Sequence, residues 1–152
     1  AEDGPAVTQL IADCPPLDAN SAYCNLLQCS HFRHTSAVAR KGGRLIGFVS
    51  GYRIPDKANT LFIWQVAVSA EARGLGLARA MLNDLVSRSE NAGLLWIETT
   101  ITANNDASWA MFEGFARSRN AMTKRTVMFD RHQHFGGRHD TEYLLRIGPV
   151  GP

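Results

Sequence analysis

The chain predicts an α/β fold, a single mixed sheet flanked by helices, and three observations carry that expectation. Its segments read in the order two helices, three strands, helix, strand, helix, two strands. Lys41-Gly42-Gly43 between two β-rich runs is a hairpin signal. A nearly continuous apolar run, Leu61 to Val68, leads through a glycine-containing turn into an amphipathic helix.

Taken in order, Val7, Leu10 and Ile11 share one face of a first helix, which Pro15-Pro16 ends. Asp18, Asn20 and Ser21 offer capping side chains for a second helix carrying Tyr23, Leu26 and Leu27. Ser36 to Arg40 and Arg44 to Arg53 form the hairpin, and Pro55 to Thr60 reads as a loop. Leu61 to Val68 (LFIWQVAV) reads as a strand buried on both faces. A helix follows with Leu77, Ala78, Met81, Leu82, Leu85 and Val86 at helical spacing, and Gly93 is its expected stop. Leu94 to Thr102 is the next strand. Asn104-Asn105-Asp106 caps a helix with Trp109, Met111 and Phe112. Two strands close the chain, about Thr126 to Phe129 and Glu142 to Ile147, around the polar loop HQHFGGRHD.

Composition narrows the function classes. A length of 152 residues suits one domain spanning 1–152, and 45% hydrophobic content is ordinary for a globular core. The net charge of +2, without a basic stripe, argues against nucleic acid as the main partner. No apolar run reaches bilayer-spanning length, and the start lacks the pattern of a signal peptide, so no membrane partner is expected. Cys14, Cys24 and Cys29 make an odd count, which suits reduced thiols in the cytoplasm better than a disulfide framework.

The strongest motif is Arg73-Gly74-Leu75-Gly76-Leu77-Ala78, set between the apolar strand and the amphipathic helix. Glycines let backbone approach a ligand closely, and first-turn helix amides have no intrahelical partners. With the helix dipole they make a pocket suited to a pyrophosphate, to which Arg73 and Arg79 would add charge-assisted bonds. A simple glycine-containing strand-to-helix turn would give the same letters. The spacing is not that of a dinucleotide fingerprint.

From Ser36 to Phe115 the chain resembles the GNAT superfamily of N-acetyltransferases: a strand ending Val66-Ala67-Val68, an R-x-x-G-x-A loop, a long helix, then a strand followed by Asn105 and a helix. The resemblance implies a mostly antiparallel central sheet with helices on both faces, splayed at a slot for acetyl-CoA, the acyl donor. It implies a cofactor site of Val66, Ala67 and Val68 for the pantetheine arm, and of Arg73, Gly74, Leu75, Gly76, Leu77, Ala78, Arg79 and Asn105. The pantetheine would pair with the strand end as an added strand does. The resemblance also implies a first strand before the helix at Val7, which this chain begins too late to include. Many relatives carry a tyrosine on the helix after Asn105 as general acid; here the matching position is Phe112, which has no proton to give.

Several stretches are similar to one branch of that superfamily, the diaminobutyrate acetyltransferases of ectoine biosynthesis, an osmoadaptation pathway. They are YCNLLQCSHF, GFVSGY, LFIWQVAV, IETTIT, NDASWAMF and HFGGRHDTEYLLRIGP. That likeness implies a small diamino-acid substrate acetylated on its γ-amine, and a homodimer. Such a substrate carries two ammonium groups and a carboxylate. Asp18 and Glu142 are the expected counter-charges, Trp64 the aromatic wall or cation–π partner, and Tyr23 and His139 the hydrogen-bonding groups. Each has a plainer reading beside this one. Asp18 also suits a cap, Tyr23 and Trp64 suit a core, Glu142 suits a solvated strand edge, and His139 suits a satisfied loop histidine.

An aliphatic amine with a pKa of about 10 must lose a proton before it attacks, at a cost of about 4 kcal/mol at neutral pH. The candidate bases are Glu142, then Glu98, with His139 a third. The neutral amine would attack the thioester directly in a ternary complex, its oxyanion held by an amide near Val68. Nothing marks Cys24 or Cys29 as an activated nucleophile. No metal is expected. The Cys24, Cys29, His31, His34 spacing is too cramped for paired zinc ligands, and His132, His134 and His139 form the other cluster considered. Other readings of the same letters are an acetyltransferase for another small amine, and a non-catalytic acyl-CoA sensor.

Overall fold

The computed structural model describes residues 1–151. Its elements run α1 (Gly4–Ala12), α2 (Ala22–Ser30), β1 (Ala37–Lys41), β2 (Arg44–Ile54), β3 (Lys57–Val68), α3 (Leu77–Ser87), β4 (Trp96–Thr102), α4 (Asp106–Ser118), β5 (Met122–Phe129) and β6 (Glu142–Gly148). The strands form one sheet in the order β1-β2-β3-β4-β6-β5, so the expected α/β architecture is present. The chain divides into two compact units, residues 1–53 with 63–92, and residues 54–62 with 93 onward. β3 therefore gives its first half to the second unit and its second half to the first.

In the first unit, α1 inserts Val7, Leu10 and Ile11 against Leu45, Phe48 and Ala67. Each such aliphatic side chain stabilises by about 1.5–3 kcal/mol when fully buried. Neighbouring Gly47 faces Leu77 and Met81 of α3 instead. Successive strand residues point to opposite sides, so α1 and α3 cover opposite faces of β2. The β1–β2 hairpin turns through Gly42 and Gly43, both at positive φ (58° and 78°), as a two-residue loop of this twist requires.

Several expectations change in this unit. α2 buries Asn25 and Gln28, while Tyr23 and Leu26 are exposed. Hydrophobic spacing alone could not find that face, because its buried residues are amides. α3 ends at Ser87, well before Gly93. A side chain replaces the glycine stop: Asn91 Nδ2 donates to the Leu85 carbonyl at 2.7 Å, while Arg88 Nη1 ties the end of α3 to the carbonyls of Arg33, His34 and Ser36. β3 is not buried on both faces. Its odd-numbered residues from Leu61 to Ala67 are buried, whereas Phe62, Val66 and Val68 are half-buried and Trp64 is exposed.

In the second unit, the predicted loop from Pro55 to Thr60 shrinks to the turn Pro55-Asp56, and Lys57 to Thr60 is strand. The Asn59 carbonyl accepts from Leu95 N at 2.9 Å and Thr60 is fully buried, so pairing overrides a weak local preference. β4 and β5 each pair antiparallel with β6. Ile97, Ile101, Leu145 and Ile147, with Phe112, Phe115 and Ala116 of α4, are among its buried hydrophobic residues. On the other face of β4, Glu98 is 2% exposed between Lys57 Nζ (3.4 Å) and Arg146 Nη1 (3.5 Å), and Arg146 stacks on Trp96. β5 begins at Met122, earlier than expected, and all its residues are exposed.

Gly148 ends β6 where no side chain fits. A Cβ there would lie 2.3 Å from Trp96 Cε3 and 2.7 Å from the Leu95 carbonyl oxygen. Gly148→Ala is therefore expected to lower the unfolding free energy by about 1–3 kcal/mol. Denaturant titration checks this, and an unchanged midpoint would contradict the packing described.

Candidate functional site

The glycine loop starts where β3 ends. Ser69 N donates to the Ile46 carbonyl at 2.9 Å, a short 3-10 turn spans Ala70–Ala72, and α3 begins at Leu77. Gly74 (φ 78°) and Gly76 (φ 75°) both take left-handed backbone, which a side chain would strain. Gly76 is the cap of α3 and no side chain closes that end. Ala80 N is the donor to the Gly76 carbonyl, which leaves the first-turn amides of Leu77, Ala78 and Arg79 without intrahelical acceptors. Leu75 is 78% exposed, so the loop is open to a ligand.

The two arginines serve this loop differently. Arg73 Nε donates to the Val68 carbonyl at 3.2 Å, tying the side chain to the end of β3. Its amide is also engaged, with Ala70 O at 3.4 Å, so Arg73 offers its outer guanidinium nitrogens rather than its backbone. Arg79 Nη2 lies 3.7 Å from where a Gly76 Cβ would stand, which puts its charge over the loop. Glu71 of the same turn pairs with Arg44. Asn105, in the second unit, caps α4 by accepting from Ser108 N at 3.3 Å.

Among the expected substrate residues, Asp18, Tyr23 and Trp64 belong to the first unit. Ser21, rather than Asp18, caps α2, accepting from Cys24 N at 3.1 Å. The Asp18 carbonyl accepts from Gln65 Nε2 at 2.8 Å, and its side chain stays exposed. Gln65 Oε1 accepts from Asn20 Nδ2 at 2.6 Å, so the segment leading into α2 is anchored on β3 beside Trp64. Tyr23 is 71% exposed and Trp64 47%, which removes the core reading for both.

Glu98, His139 and Glu142 belong to the second unit. His139 Nδ1 lies 2.6 Å from the Asp140 carbonyl oxygen, which only accepts, so Nδ1 carries the proton. Nε2 is then turned to Glu142, 3.8 Å from Oε1. The Phe135 ring packs at 4.5 Å on the imidazole and meets Phe129 edge-on. The loop before His139 is held by Asp130, which accepts from the amides of His132 and Gln133; those amides, Gln133 first, keep its carboxyl below the usual range. Arg131 pairs with Asp140 at 2.8 Å. The Glu142 side chain is 21% exposed, hence not simply a solvated strand edge. Glu98, by contrast, sits between two cations on another part of β4. Phe112 is buried at 3% exposure.

Sequence reasoning missed three groups. Asn20, Asn25 and Gln65 form a hydrogen-bonded amide chain. The Arg125 guanidinium lies 4.4 Å from the Trp109 ring and 4.2 Å from Tyr143. Lys57 and Arg146 hold Glu98. No periodicity marks any of them, because each is created by pairing of distant strands and helices. Among the described residues no group of three or more histidine, cysteine or acidic side chains is placed to hold a metal. Burial pushes the Cys29 thiol up, which disfavours the thiolate a nucleophile needs.

Residues 5–115 match the model of the acetyltransferase (GNAT) family. The chain is 54% identical over 149 residues to the L-2,4-diaminobutyric acid acetyltransferase of Methylotuvimicrobium alcaliphilum, covering 98% of this chain and 87% of that one. It is 51% identical to the Vibrio cholerae protein of the same name, covering 96% and 84%. Among solved structures, it superposes with a TM-score of 0.93 on the diaminobutyrate acetyltransferase EctA from Paenibacillus lautus, solved in complex with its substrate L-2,4-diaminobutyric acid and coenzyme A. That match is 38% identical and covers 99% of this chain and 92% of that one. By a matching family model and identities at this level, the chain belongs to the GNAT acetyltransferase family, in the branch of the L-2,4-diaminobutyric acid acetyltransferases.

Proposed function

We propose that this protein transfers the acetyl group of acetyl-CoA to the γ-amine of L-2,4-diaminobutyrate, and that residues 1–152 work as one acetyltransferase domain. The observation that carries the reading is the 0.93 TM-score to an enzyme solved with that substrate and coenzyme A, joined to a glycine loop whose amides lack protein acceptors. The family model runs through both units, which supports a single domain. In this reading the pyrophosphate lies on the amides at Gly74, Leu75, Gly76, Leu77 and Ala78, with Arg73 and Arg79 beside it. The pantetheine follows Val66, Ala67 and Val68, on the stretch of β3 that is only part-covered. Asn105 completes the proposed cofactor set.

Asp18 and Glu142 are the counter-charges of the two ammonium groups, Trp64 the wall, and Tyr23 and His139 hydrogen-bonding groups. Glu142 is the base. It takes the ammonium proton directly or through a water, and His139 Nε2, turned towards it, is the next acceptor. The free amine then attacks the thioester carbonyl, the tetrahedral oxyanion rests on an amide near Val68, and the thiolate leaves with a proton from water, since Phe112 has none to give. Glu98 suits catalysis least, because Lys57 and Arg146 hold its carboxylate.

The reading extends to a cytoplasmic homodimer. Three free cysteines suit a reducing compartment, and among the described residues no helix is long and apolar enough to cross a membrane. The edge strand β5 leaves Met122, Val127, Met128 and Phe129 exposed, an apolar border of the kind that pairs with a second copy. Sedimentation is expected to give twice the chain mass, and a monomer at micromolar concentration would remove this part.

Thiol release from acetyl-CoA, followed against diaminobutyrate, ornithine, lysine, 2,3-diaminopropionate, spermidine and an aminoglycoside, is expected to be fast with diaminobutyrate alone. A preference for another amine would keep the acetyl transfer and discard the substrate. Binding of acetyl-CoA with no turnover on any amine would favour a sensor. Glu142→Gln is expected to lower kcat about a hundredfold or more while acetyl-CoA binding persists. Unchanged kcat and KM would take Glu142 out of the mechanism.

A further inference from the structure

Resting on the reading of Glu142 as base and His139 as the next proton acceptor, we propose that Phe135 is a positioning residue for that pair. Its ring, stacked on the imidazole, holds His139 with Nε2 turned to Glu142. The polar loop HQHFGGRHD is built around this contact.

An imidazole has two distinct nitrogens, and the bond made by one decides the state of the other. His139 Nδ1 lies 2.6 Å from the Asp140 carbonyl oxygen, so Nε2 keeps the lone pair that a proton acceptor needs. That bond comes from the adjacent residue and fixes one atom of the ring, not its plane. With the side chain 48% exposed, solvent alone would let the ring pivot about that atom. Phe135 supplies the missing constraint, a flat face 4.5 Å from the imidazole centroid and tilted by 38°. The Asp140 carboxylate is engaged by Arg131 Nη1 at 2.8 Å.

Phe135 is itself held. Gly136 (φ 59°) and Gly137 (φ 80°) take left-handed backbone and fold the chain back, so that residues 135 and 139 meet. Gly137 N donates to the Arg131 carbonyl at 2.8 Å, and Arg138 N to the Phe135 carbonyl at 3.1 Å. Phe129 packs edge-on to the Phe135 ring at 6.2 Å, and His134 edge-on to Phe129 at 5.9 Å. The Asp130 amide donates to His134 Nδ1 at 2.7 Å, which pins the far end of this row of rings.

The row starts where Glu142 starts. β5 and β6 pair Val127 with Tyr143 and Phe129 with Glu142, a register shift that leaves Met128 as an extra residue. Side chains alternate along a strand, so without that bulge Phe129 would share the face of Val127. With the bulge it stands opposite Glu142, the kind of re-aiming that bulges supply. The base and the rings that orient its partner are therefore anchored at one rung of the ladder.

Long-range ¹H–¹⁵N NMR of the histidine side chains tests this on the folded protein without substrate. The His139 signal, assigned by its loss in His139→Asn, is expected to show the Nδ1–H tautomer alone. Phe135→Leu keeps apolar bulk without a flat face. It is expected to show both tautomers and a kcat for diaminobutyrate about tenfold lower, part of the hundredfold or more that a general base contributes. KM for acetyl-CoA is expected to stay unchanged. Phe135→Tyr keeps the ring and is expected to remain within about twofold of the unsubstituted protein. A folded leucine variant with either the original tautomer or the original kcat would overturn the proposal. So would an Nε2–H tautomer in the unsubstituted protein, a result that needs no variant to fold. Absence of turnover in the unsubstituted protein would sink the acetyl-transfer reading, while the tautomer comparison would still decide whether Phe135 holds His139.

Discussion

At the middle of β3 the Gln65 side chain is 6% exposed and satisfied from two directions. It donates to the Asp18 carbonyl and accepts from Asn20, whose amide also reaches Asn25; Asn25 in turn donates to Thr8 on α1. This chain of amides ties both N-terminal helices to the strand that leads into the glycine loop. Each bond contributes about 1 kcal/mol net, but losing one partner leaves a buried amide bare, at about 1–3 kcal/mol. The arrangement thus resists partial change more than its summed energy suggests. It also sets where Asp18 and the start of α2 lie beside Trp64, so the candidate substrate residues of this unit depend on it.

The glycine loop rests on backbone conformation and on how the strand before it is covered. Gly74 and Gly76 turn the chain through left-handed φ so that α3 starts with bare amides, a geometry that nearby side chains do not enforce. β3 leads into it with one face buried and the other part-open. A strand covered on both faces would have stabilised the core further and left the side chains of Val66 and Val68 without any open surface. The partial cover of Val66 and Val68 is thus the counterpart of the loop's open amides.

The legible and illegible parts differ by mechanism. Element order, the Gly42-Gly43 hairpin, the loop at Arg73 to Ala78 and the Asn105 cap were readable, since each depends on a few adjacent residues. α2 was readable as a helix, but its buried face was not, because Asn25 and Gln28 go inward to meet partners far along the chain. The stop of α3 was misread for the same reason: the side chain of Asn91, not Gly93, answers a carbonyl of its last turn. The aromatic character of Trp64 and Tyr23 was visible, while their exposure followed only from which face of β3 and α2 is covered. Glu98 was legible as a charge within a strand, while its partners Lys57 and Arg146, distant in sequence, were not.

By itself the sequence determined the α/β order, the turn chemistry and the family resemblance, all of which follow from local stereochemistry and short contiguous motifs. Tertiary structure alone decided which polar groups are buried and with whom. It paired Glu98 with two cations, stacked Arg125 between Trp109 and Tyr143, and joined Asn20, Asn25 and Gln65 in one chain of hydrogen-bonded amides. Burial and pairing belong to surfaces brought together from distant segments, and no single segment encodes the surface it will meet.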